Sequence, residues 1–281
     1  MSAAAASRER AVGGMGRTVR LGYLRTIAEL KTFFRTPELA FFTFLLPVFF
    51  VVIFSTVFSG DIEGPGGAKV AFSQYFVAGM IASGVMSTTF ANLAGTIAVE
   101  QHEGLLKRLS GTPLPRSSYF IGKLGVALVI SAIQAVIILG IGVTAFGMSL
   151  PADPAKWAAF FAVFVLGVSA CSLLGIAYTR LIPNSNSAAP IIQVPLLVLQ
   201  FISGVYFQYD QIPGWLQVVA SVFPLKWMAQ GFRYVFLPKW VGARDYGGEW
   251  HLERVLLVLA AWTVGASVLS VLFFRWSRER E

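Results

Sequence analysis

Apolar and polar positions alternate in blocks along the chain, giving six long apolar runs separated by polar segments. The runs cover residues 39–58, 75–98, 121–146, 157–178, 188–206 and 254–274. Each has close to the roughly 20 apolar residues that a helix needs to cross the hydrocarbon core of a bilayer. The pattern predicts an all-α integral membrane protein with six transmembrane helices, the first two joined by a polar, Gly-rich loop over residues 60–73.

Residues 17–36, in front of the first run, follow a helical period instead. Their apolar positions recur every three or four residues, at Val19, Tyr23, Ile27, Leu30 and Phe34. Basic residues flank this face, which is typical of an amphipathic helix lying in the membrane interface. We therefore expect an N-terminal segment, 1–37, ending in an interfacial helix, and a transmembrane domain over 38–281. A helix packed on a partner subunit is the alternative.

The apolar segment 212–237 is interrupted and differs from the six runs. Pro224 divides it into two halves, each too short to span a bilayer, and the second half contains Lys226 and Arg233. Either cation at the bilayer centre would cost roughly 2.5–3.5 kcal/mol on insertion scales. We predict a re-entrant or outer-interface hairpin of two short helices, and consider a seventh span the weaker alternative.

The composition agrees with a membrane protein, and the distribution of basic residues predicts its orientation. Of the 281 residues, 56% are hydrophobic and 13% are charged, which is too apolar for an ordinary soluble domain. The net charge of +8 does not point to nucleic acid here, because lysine and arginine concentrate on the cytoplasmic side of membrane proteins. Most of the 22 basic residues lie in segments that six spans place on the side of the N-terminus. We predict that both termini are cytoplasmic in a multi-pass protein of the cell membrane.

The segment between the second and third runs, residues 100–116, has a helical pattern of its own. Leu105, Leu106 and Leu109 fall at helical spacing, with Gly104 before them and Gly111 after them. We predict a small amphipathic helix with three exposed leucines, suited to docking into a groove of another protein. A helical loop lying on lipid headgroups would show the same pattern.

This segment resembles the first cytoplasmic loop of the ABC type-2 exporter permeases. That family typically has Glu-Arg-Glu-x-Gly-Thr-Leu-x-Arg-Leu-x-x-Thr-Pro after its second span. The matching residues here are Glu100, Gly104, Leu106, Arg108, Leu109, Thr112 and Pro113. Gln101, His102 and Leu105 depart from the usual Arg, Glu and Thr, which affects the polar contacts of the loop more than its helix.

The hairpin segment is similar to the same family. Its usual pattern is Leu-Pro-x-Trp-Leu, then Asn-Pro and a final Arg, and the matching residues are Pro213, Trp215, Pro224 and Arg233. Phe223 replaces the usual Asn. With this second motif the resemblance covers nearly the whole chain.

The resemblance implies that the loop is a coupling helix resting on a separate ATP-hydrolysing subunit. The residues expected to take part are Glu100, Glu103, Gly104, Leu105, Leu106, Lys107, Arg108, Leu109, Thr112 and Pro113. It further implies two copies of an ABC ATPase, which bind the ATP and magnesium, beneath a pair of permeases. The second permease is either a copy of this chain or a paralogue.

The motifs absent from the sequence agree with a transport subunit that is not itself an enzyme. There is no Gly-x-x-x-x-Gly-Lys-[Ser/Thr] loop for ATP, no Gly-x-Ser-x-Gly and no His-Glu-x-x-His. One cysteine and two distant histidines make a metal site improbable, and we expect no cofactor on this chain. Acidic residues are nearly absent from the runs, which argues against a proton-driven carrier.

Neutral polar side chains inside the runs are candidates for a substrate path. They are Thr89, Asn92, Thr96, Gln134, Gln193, Gln200 and Ser203. Hydrogen bonding between helices explains them equally well. The cargo implied by the resemblance, closest to the drug-resistance branch, is a hydrophobic or amphiphilic compound such as a drug, an antibiotic or a lipid. Alternatives are polysaccharide or glycolipid export, an ATP-independent channel or carrier, and a membrane enzyme acting on lipids.

Overall fold

The computed structural model describes residues 3–58, 60–112 and 114–274, without the side chains of residues 3–13, Ser110 and Tyr246. Within this part of the chain, six helices are long and apolar enough to cross a membrane. They are Pro37–Val57, Phe72–His102, Arg116–Phe146, Pro154–Leu181, Ser185–Ile202 and Leu252–Phe273. The prediction of an all-α integral membrane protein with six spans is confirmed.

The helices and strands are named in chain order. The helices are α1 (Ala3–Arg35), α2 (Pro37–Val57), α3 (Phe72–Met86), α4 (Asn92–His102), α5 (Leu105–Ser110), α6 (Arg116–Phe146), α7 (Pro154–Tyr178), α8 (Ser185–Ile202), α9 (Gly214–Val222), α10 (Pro224–Phe236) and α11 (Leu252–Phe273). The strands are β1 (Asp61–Glu63) and β2 (Lys69–Ala71). A π-helical turn, Ser87–Ala91, joins α3 to α4, so these three elements form one continuous second span.

The second span lies at the centre of the bundle. Its most apolar stretch is 89% buried, compared with 17% for the first span and 22% for the sixth. Small residues let neighbouring side chains approach its backbone closely, because a Cβ added to Gly84 would lie 3.0 Å from the Gln134 amide carbon. The second span therefore acts as the packing core, and the Phe-rich first span remains largely exposed.

The predicted fifth span extends four residues too far at its end. It was expected to reach residue 206, but α8 ends at Ile202, with Ser203 as its C-cap. Gly204 follows with φ +72°, the left-handed conformation that commonly ends a helix.

α1 begins at Ala3, earlier than the predicted residue 17. The bundle leaves three positions of its apolar stripe exposed, by 53% at Val19, 63% at Tyr23 and 51% at Phe34, whereas Ile27 and Leu30 are half-buried. The other side of the helix carries Thr26, which is buried against α6 close to Gly125, where an added Cβ would lie 2.4 Å from Thr26 Oγ1. α1 thus packs on the bundle through both polar Thr26 and apolar Phe33, and leaves much of its apolar stripe outside.

The opposite end of the bundle contains two hairpins. The segment expected to be a polar loop, 60–73, contains an antiparallel pair, β1 and β2, in which Ile62 faces Val70 and both are buried. The two short helices expected within 212–237 are confirmed as α9 and α10. Pro224 is the first residue of α10, where its missing N–H leaves no intrahelical bond unmade.

Candidate functional site

The loop between spans two and three has the short helix that was predicted. α4 ends at His102, and Gly104 adopts φ +73°, which lets the chain turn sharply into α5. Gly111 is the C-cap of α5, and its N–H donates to the Arg108 carbonyl at 3.2 Å. Pro113, expected in this site, lies outside the described residues, and Thr112 is exposed after the helix.

The prediction of three exposed leucines on α5 is wrong. Leu106 is fully buried and belongs to a cluster with Leu93, Ile97, Tyr119 and Ile176. Leu109 is half-buried against the same cluster, and only Leu105 is exposed. Leu106 therefore lies on the side of α5 that faces the bundle. Its packing holds the loop against the second and third spans.

The outward surface of this loop is mixed in charge. It consists of Glu103, Leu105, Lys107 and Arg108, all exposed. A surface with one apolar side chain between charged groups suits a polar protein contact better than a deep hydrophobic groove.

Glu100, at the end of the second span, is held by α6. Its Oε1 lies 2.5 Å from Lys123 Nζ, and its Oε2 accepts a hydrogen bond from the Tyr119 hydroxyl at 2.6 Å. Lys123 is also 3.0 Å from Glu29 Oε2 on α1, and its side chain is only 3% exposed. One buried ammonium group therefore joins α1 to the second span.

Arg25 completes this charge cluster. Its Nε donates to Glu29 Oε1 at 2.9 Å, and its guanidinium lies 4.6 Å from the centre of the Tyr119 ring. The site residues predicted from the sequence do not include Arg25, Glu29, Tyr119 or Lys123. The sequence does contain one indication of this cluster, because a lysine just inside an apolar run requires an acidic partner. Which residue is the partner depends on how α1 packs against the bundle.

A partly open cavity of about 630 Å³ lies beside the charge cluster, between α1, α4, α6 and α8. Arg25, Glu29, Glu100 and Lys123 line one part of it. Apolar side chains form much of the remaining wall, namely Leu93, Val99, Val126, Ala127, Ile130 and Ile192. The cavity therefore offers charged and apolar surfaces to a single ligand.

Three of the seven predicted substrate-path residues line this cavity: Asn92, Thr96 and Gln193. Thr89 is fully buried, and its hydroxyl donates to the Val85 carbonyl of its own helix at 2.6 Å. The neighbouring Thr88 lines the cavity instead. The π-helical turn shifts the helical phase at this point, which periodicity in the sequence did not indicate.

The remaining three predicted path residues lie away from the cavity lining. Gln134 Nε2 donates to the Thr43 carbonyl of the first span at 3.3 Å, which is the interhelical bond given as the alternative. Gln200 Oε1 accepts from the Tyr206 hydroxyl at 2.6 Å. Ser203 is buried at the C-cap of α8.

A second charge cluster lies at the opposite end, where Asp245 lies between two cations of α10. Asp245 Oδ1 is 3.7 Å from Lys226 Nζ, and Oδ2 is 3.7 Å from Arg233 NH1, with all three side chains 1% exposed. The Arg233 guanidinium lies 3.7 Å from the centre of the Tyr75 ring of the second span and donates to the Gly204 carbonyl. Burial lowers the pKa of Lys226 to about 8, a shift that Asp245 partly opposes. Asp245 was not predicted.

The other residues of the predicted hairpin site differ in exposure. Trp215 is 69% exposed on α9, whereas Pro224 is buried at the start of α10. Pro213 is the N-cap of α9. The described residues contain no group of three or more His, Cys, Asp or Glu side chains placed to hold a metal ion.

Comparison with known proteins agrees with this architecture. The family model described as ABC-2 type transporter matches residues 23–237. Escherichia coli inner membrane transport permease YadH is 24% identical over 198 residues, covering 69% of this chain and 75% of YadH. The probable multidrug ABC transporter permease YbhR of Escherichia coli is 26% identical over 174 residues, covering 61% of this chain and 45% of YbhR.

The putative transport permease ycf38 of Cyanophora paradoxa is 26% identical over 218 residues, covering 75% of this chain and 71% of ycf38. The family implies association with an ABC ATPase and, usually, dimerisation. The matched region includes all of the second span, the α5 loop and both short helices of the hairpin. This chain belongs to the ABC-2 type transporter family, as a multi-pass membrane permease of an ABC transporter.

Proposed function

We propose that this permease exports a hydrophobic or amphiphilic compound, driven by a separate ATPase that binds the loop containing α5. The observation that carries the proposal is the division of α5 into two sides. Leu106 fixes the helix to the bundle, and Leu105, Lys107 and Arg108 remain on the surface. A short helix that is firmly attached to two spans and exposed on its other side can transmit a displacement instead of absorbing it.

The path of the displacement follows from the contacts. α5 packs through Leu106 against Leu93 and Ile97 of α4 and Tyr119 of α6. Glu100 connects the same end of α4 to Lys123 of α6. ATP-driven closure of the ATPase subunits would press on α5 and move the ends of spans two and three together, which changes the cavity between α4, α6 and α8.

An amphiphilic cargo fits the cavity, because its walls combine charged and apolar side chains. The orientation that goes with this function places α5 and both termini in the cytoplasm. Two permeases and two ATPase subunits form the complete exporter in this proposal.

The test is co-expression of the permease with a candidate ABC ATPase partner, combined with Leu105→Asp and Arg108→Glu in the permease. We expect the double variant to lose about 2 kcal/mol of binding free energy, roughly 30-fold in Kd, and most ATP-dependent uptake of a fluorescent amphiphile into inverted membrane vesicles. Both side chains are exposed, so the permease itself should keep its melting temperature.

The matched control is Lys69→Glu, an exposed cation of β2 at the opposite end of the bundle. It should leave both ATPase capture and transport unchanged. Normal capture and transport by the double variant would show that α5 is not the ATPase contact.

A further inference from the structure

The acid groups of the charge cluster beside the cavity already have donors within the protein. Each of the four carboxylate oxygens of Glu29 and Glu100 lies within 3.0 Å of a donor, on Arg25, Lys123 or Tyr119. Lys123 is shared between both carboxylates. The acceptors of the cluster, and its lysine, are therefore already engaged within the protein.

Arg25 differs because it uses only one of its three nitrogens. Its Nε bonds to Glu29, and among the described residues neither terminal nitrogen has a hydrogen-bond partner. The side chain is 17% exposed and lines the cavity. Two terminal guanidinium nitrogens form the donor pair that binds a carboxylate or phosphate in a bidentate manner.

The position of Arg25 is fixed before any ligand arrives. Its aliphatic stem lies over Gly122, where an added Cβ would lie 2.8 Å from Arg25 Cγ. The Tyr119 ring supports the guanidinium, and Glu29 fixes Nε. A donor pair held from three sides loses little conformational entropy on binding.

The surroundings favour an anion with a hydrocarbon chain. Exposed cations on α1 and α5 raise the potential at this end of the bundle, namely Arg17, Arg20, Lys31, Arg35, Lys107 and Arg108. Beyond Arg25, the cavity wall is formed by Val126, Ile130 and Ile192 among other apolar side chains. Its volume of about 630 Å³ lies within the range of small-molecule sites.

We propose that this cavity binds an anionic amphiphile, with its acid group on the terminal nitrogens of Arg25 and its chain along Val126, Ile130 and Ile192. The acid group is a phosphate or a carboxylate, carried either by a lipid of the surrounding membrane or by a dissolved amphiphile. The site's role in loading cargo rests on the proposed export function, whereas binding itself is a property of this chain alone.

The experiment measures binding of dodecyl phosphate to the full-length permease in phosphatidylcholine nanodiscs, without any ATPase. Arg25→Gln should weaken binding about 10-fold or more, because a charge-assisted bidentate contact is lost. Arg254→Gln, an exposed arginine at the opposite end of the bundle, is the matched control and should leave the affinity unchanged. Equal affinity of wild type and Arg25→Gln would overturn the proposal.

A second variant tests the chain portion and does not touch the charge cluster. Thr96 lines the cavity and is exposed, so Thr96→Trp fills the space with little effect on the core. We expect it to abolish dodecyl phosphate binding while the permease keeps its melting temperature. Equal binding of inorganic phosphate, or of dodecyltrimethylammonium, would contradict the requirement for an anion with a chain.

The source of the ligand is distinguished by the nanodisc lipid. If phosphatidylglycerol in place of part of the phosphatidylcholine competes with dodecyl phosphate, a membrane lipid is the ligand. If it does not compete, the site is selective for the dissolved amphiphile, and both results support the anionic site. Failure of the ATPase to associate with α5 would remove the proposed function and leave these binding measurements unaffected.

Discussion

Leu106 attaches the loop between the second and third spans to the bundle. Its side chain is fully buried among residues of α4, α6 and α7, whereas its neighbour Leu105 is 37% exposed. Two adjacent leucines of one short helix therefore differ: Leu106 stabilises the attachment of the loop, and Leu105 is left at the surface, where the proposed function places the ATPase.

Replacing each leucine by alanine separates these tasks. Leu106→Ala should lower the free energy of unfolding by about 2–5 kcal/mol through lost burial and an added cavity. Leu105→Ala should change it by no more than about 0.5 kcal/mol. Denaturation of the detergent-solubilised permease, followed by circular dichroism, measures both, and equal losses would contradict the assignment of Leu106 to the core.

Lys226, at the hairpin end of the protein, makes the free energy of unfolding depend on pH. Its pKa is about 8 in the folded protein, below the ordinary value of 10.5, because burial disfavours the charged form. Between these two values the unfolded chain binds more protons than the folded one, so the free energy of unfolding rises with pH. The stabilisation is complete above 10.5 and is lost as the pH falls towards 8.

We therefore expect the melting temperature of the wild type to rise over this pH interval by more than that of Lys226→Met. In the variant, Arg233 and Asp245 form a one-to-one ion pair, which keeps the cluster neutralised. Identical pH profiles for the two proteins would show that Lys226 is not the titrating group.

The sequence shows which charged residues lie in apolar segments, but it does not show which residue is the partner of each buried charge. Lys226 and Arg233 stand out in the sequence as cations in an apolar segment, and the expectation that they avoid the bilayer centre agrees with their place outside the six spans. Asp245 comes 12 positions after Arg233, in a polar loop with no periodic pattern, so only the folded chain shows that it lies between them.

At the scale of helices, α1 and α6 cross at glycines. Gly125 lies so close to α1 that a Cβ would be 2.4 Å from Thr26 Oγ1, and Thr26 Oγ1 itself is 3.4 Å from the Gly122 carbonyl. The absence of side chains at this crossing allows the salt bridges of Lys123 to form.

Gly125→Ala should push α1 away from α6. The distance between spin labels on the two helices, measured by electron paramagnetic resonance, should increase and broaden. Gly140→Ala on the same helix α6 is the control, because nothing lies within 4 Å of its position. An unchanged distance distribution in Gly125→Ala would mean that α1 tolerates the added methyl group.

The elements that the sequence predicts are those in which the apolar pattern continues over many residues. All six spans and both short hairpin helices follow from runs of apolar residues and from Pro224. The β1–β2 pair was missed because each strand has only three residues, too few to show an alternation. The cavity was half predictable: Asn92 and Thr96 share a helical face, but the cavity also depends on α1, α6 and α8 packing together.

For the whole molecule, six spans place α5 and the β1–β2 hairpin on opposite sides of the membrane. The chain has a single cysteine, Cys171, which is fully buried, so a Cys171→Ala background is free of reactive thiols. Single cysteines can then report the orientation.

In intact cells, a membrane-impermeant maleimide should label Asp61→Cys and not Lys107→Cys. Permeabilised cells should label both, because both positions are exposed. The reverse pattern would place α5 outside the cell and remove the basis for a cytoplasmic ATPase at that loop.

The two ion pairs of Lys123 constrain how the helices around it can move. Its ammonium is shared between one carboxylate from α1 and one from the second span, and it is almost completely shielded from water. If the second span withdrew alone, Glu100 would lose its counter-ion in a medium of low dielectric constant, whereas Glu29 would keep Arg25 of its own helix in either case. The end of the second span and α6 are thus bound to shift together, so a push at the loop reaches two spans of the bundle in the same step.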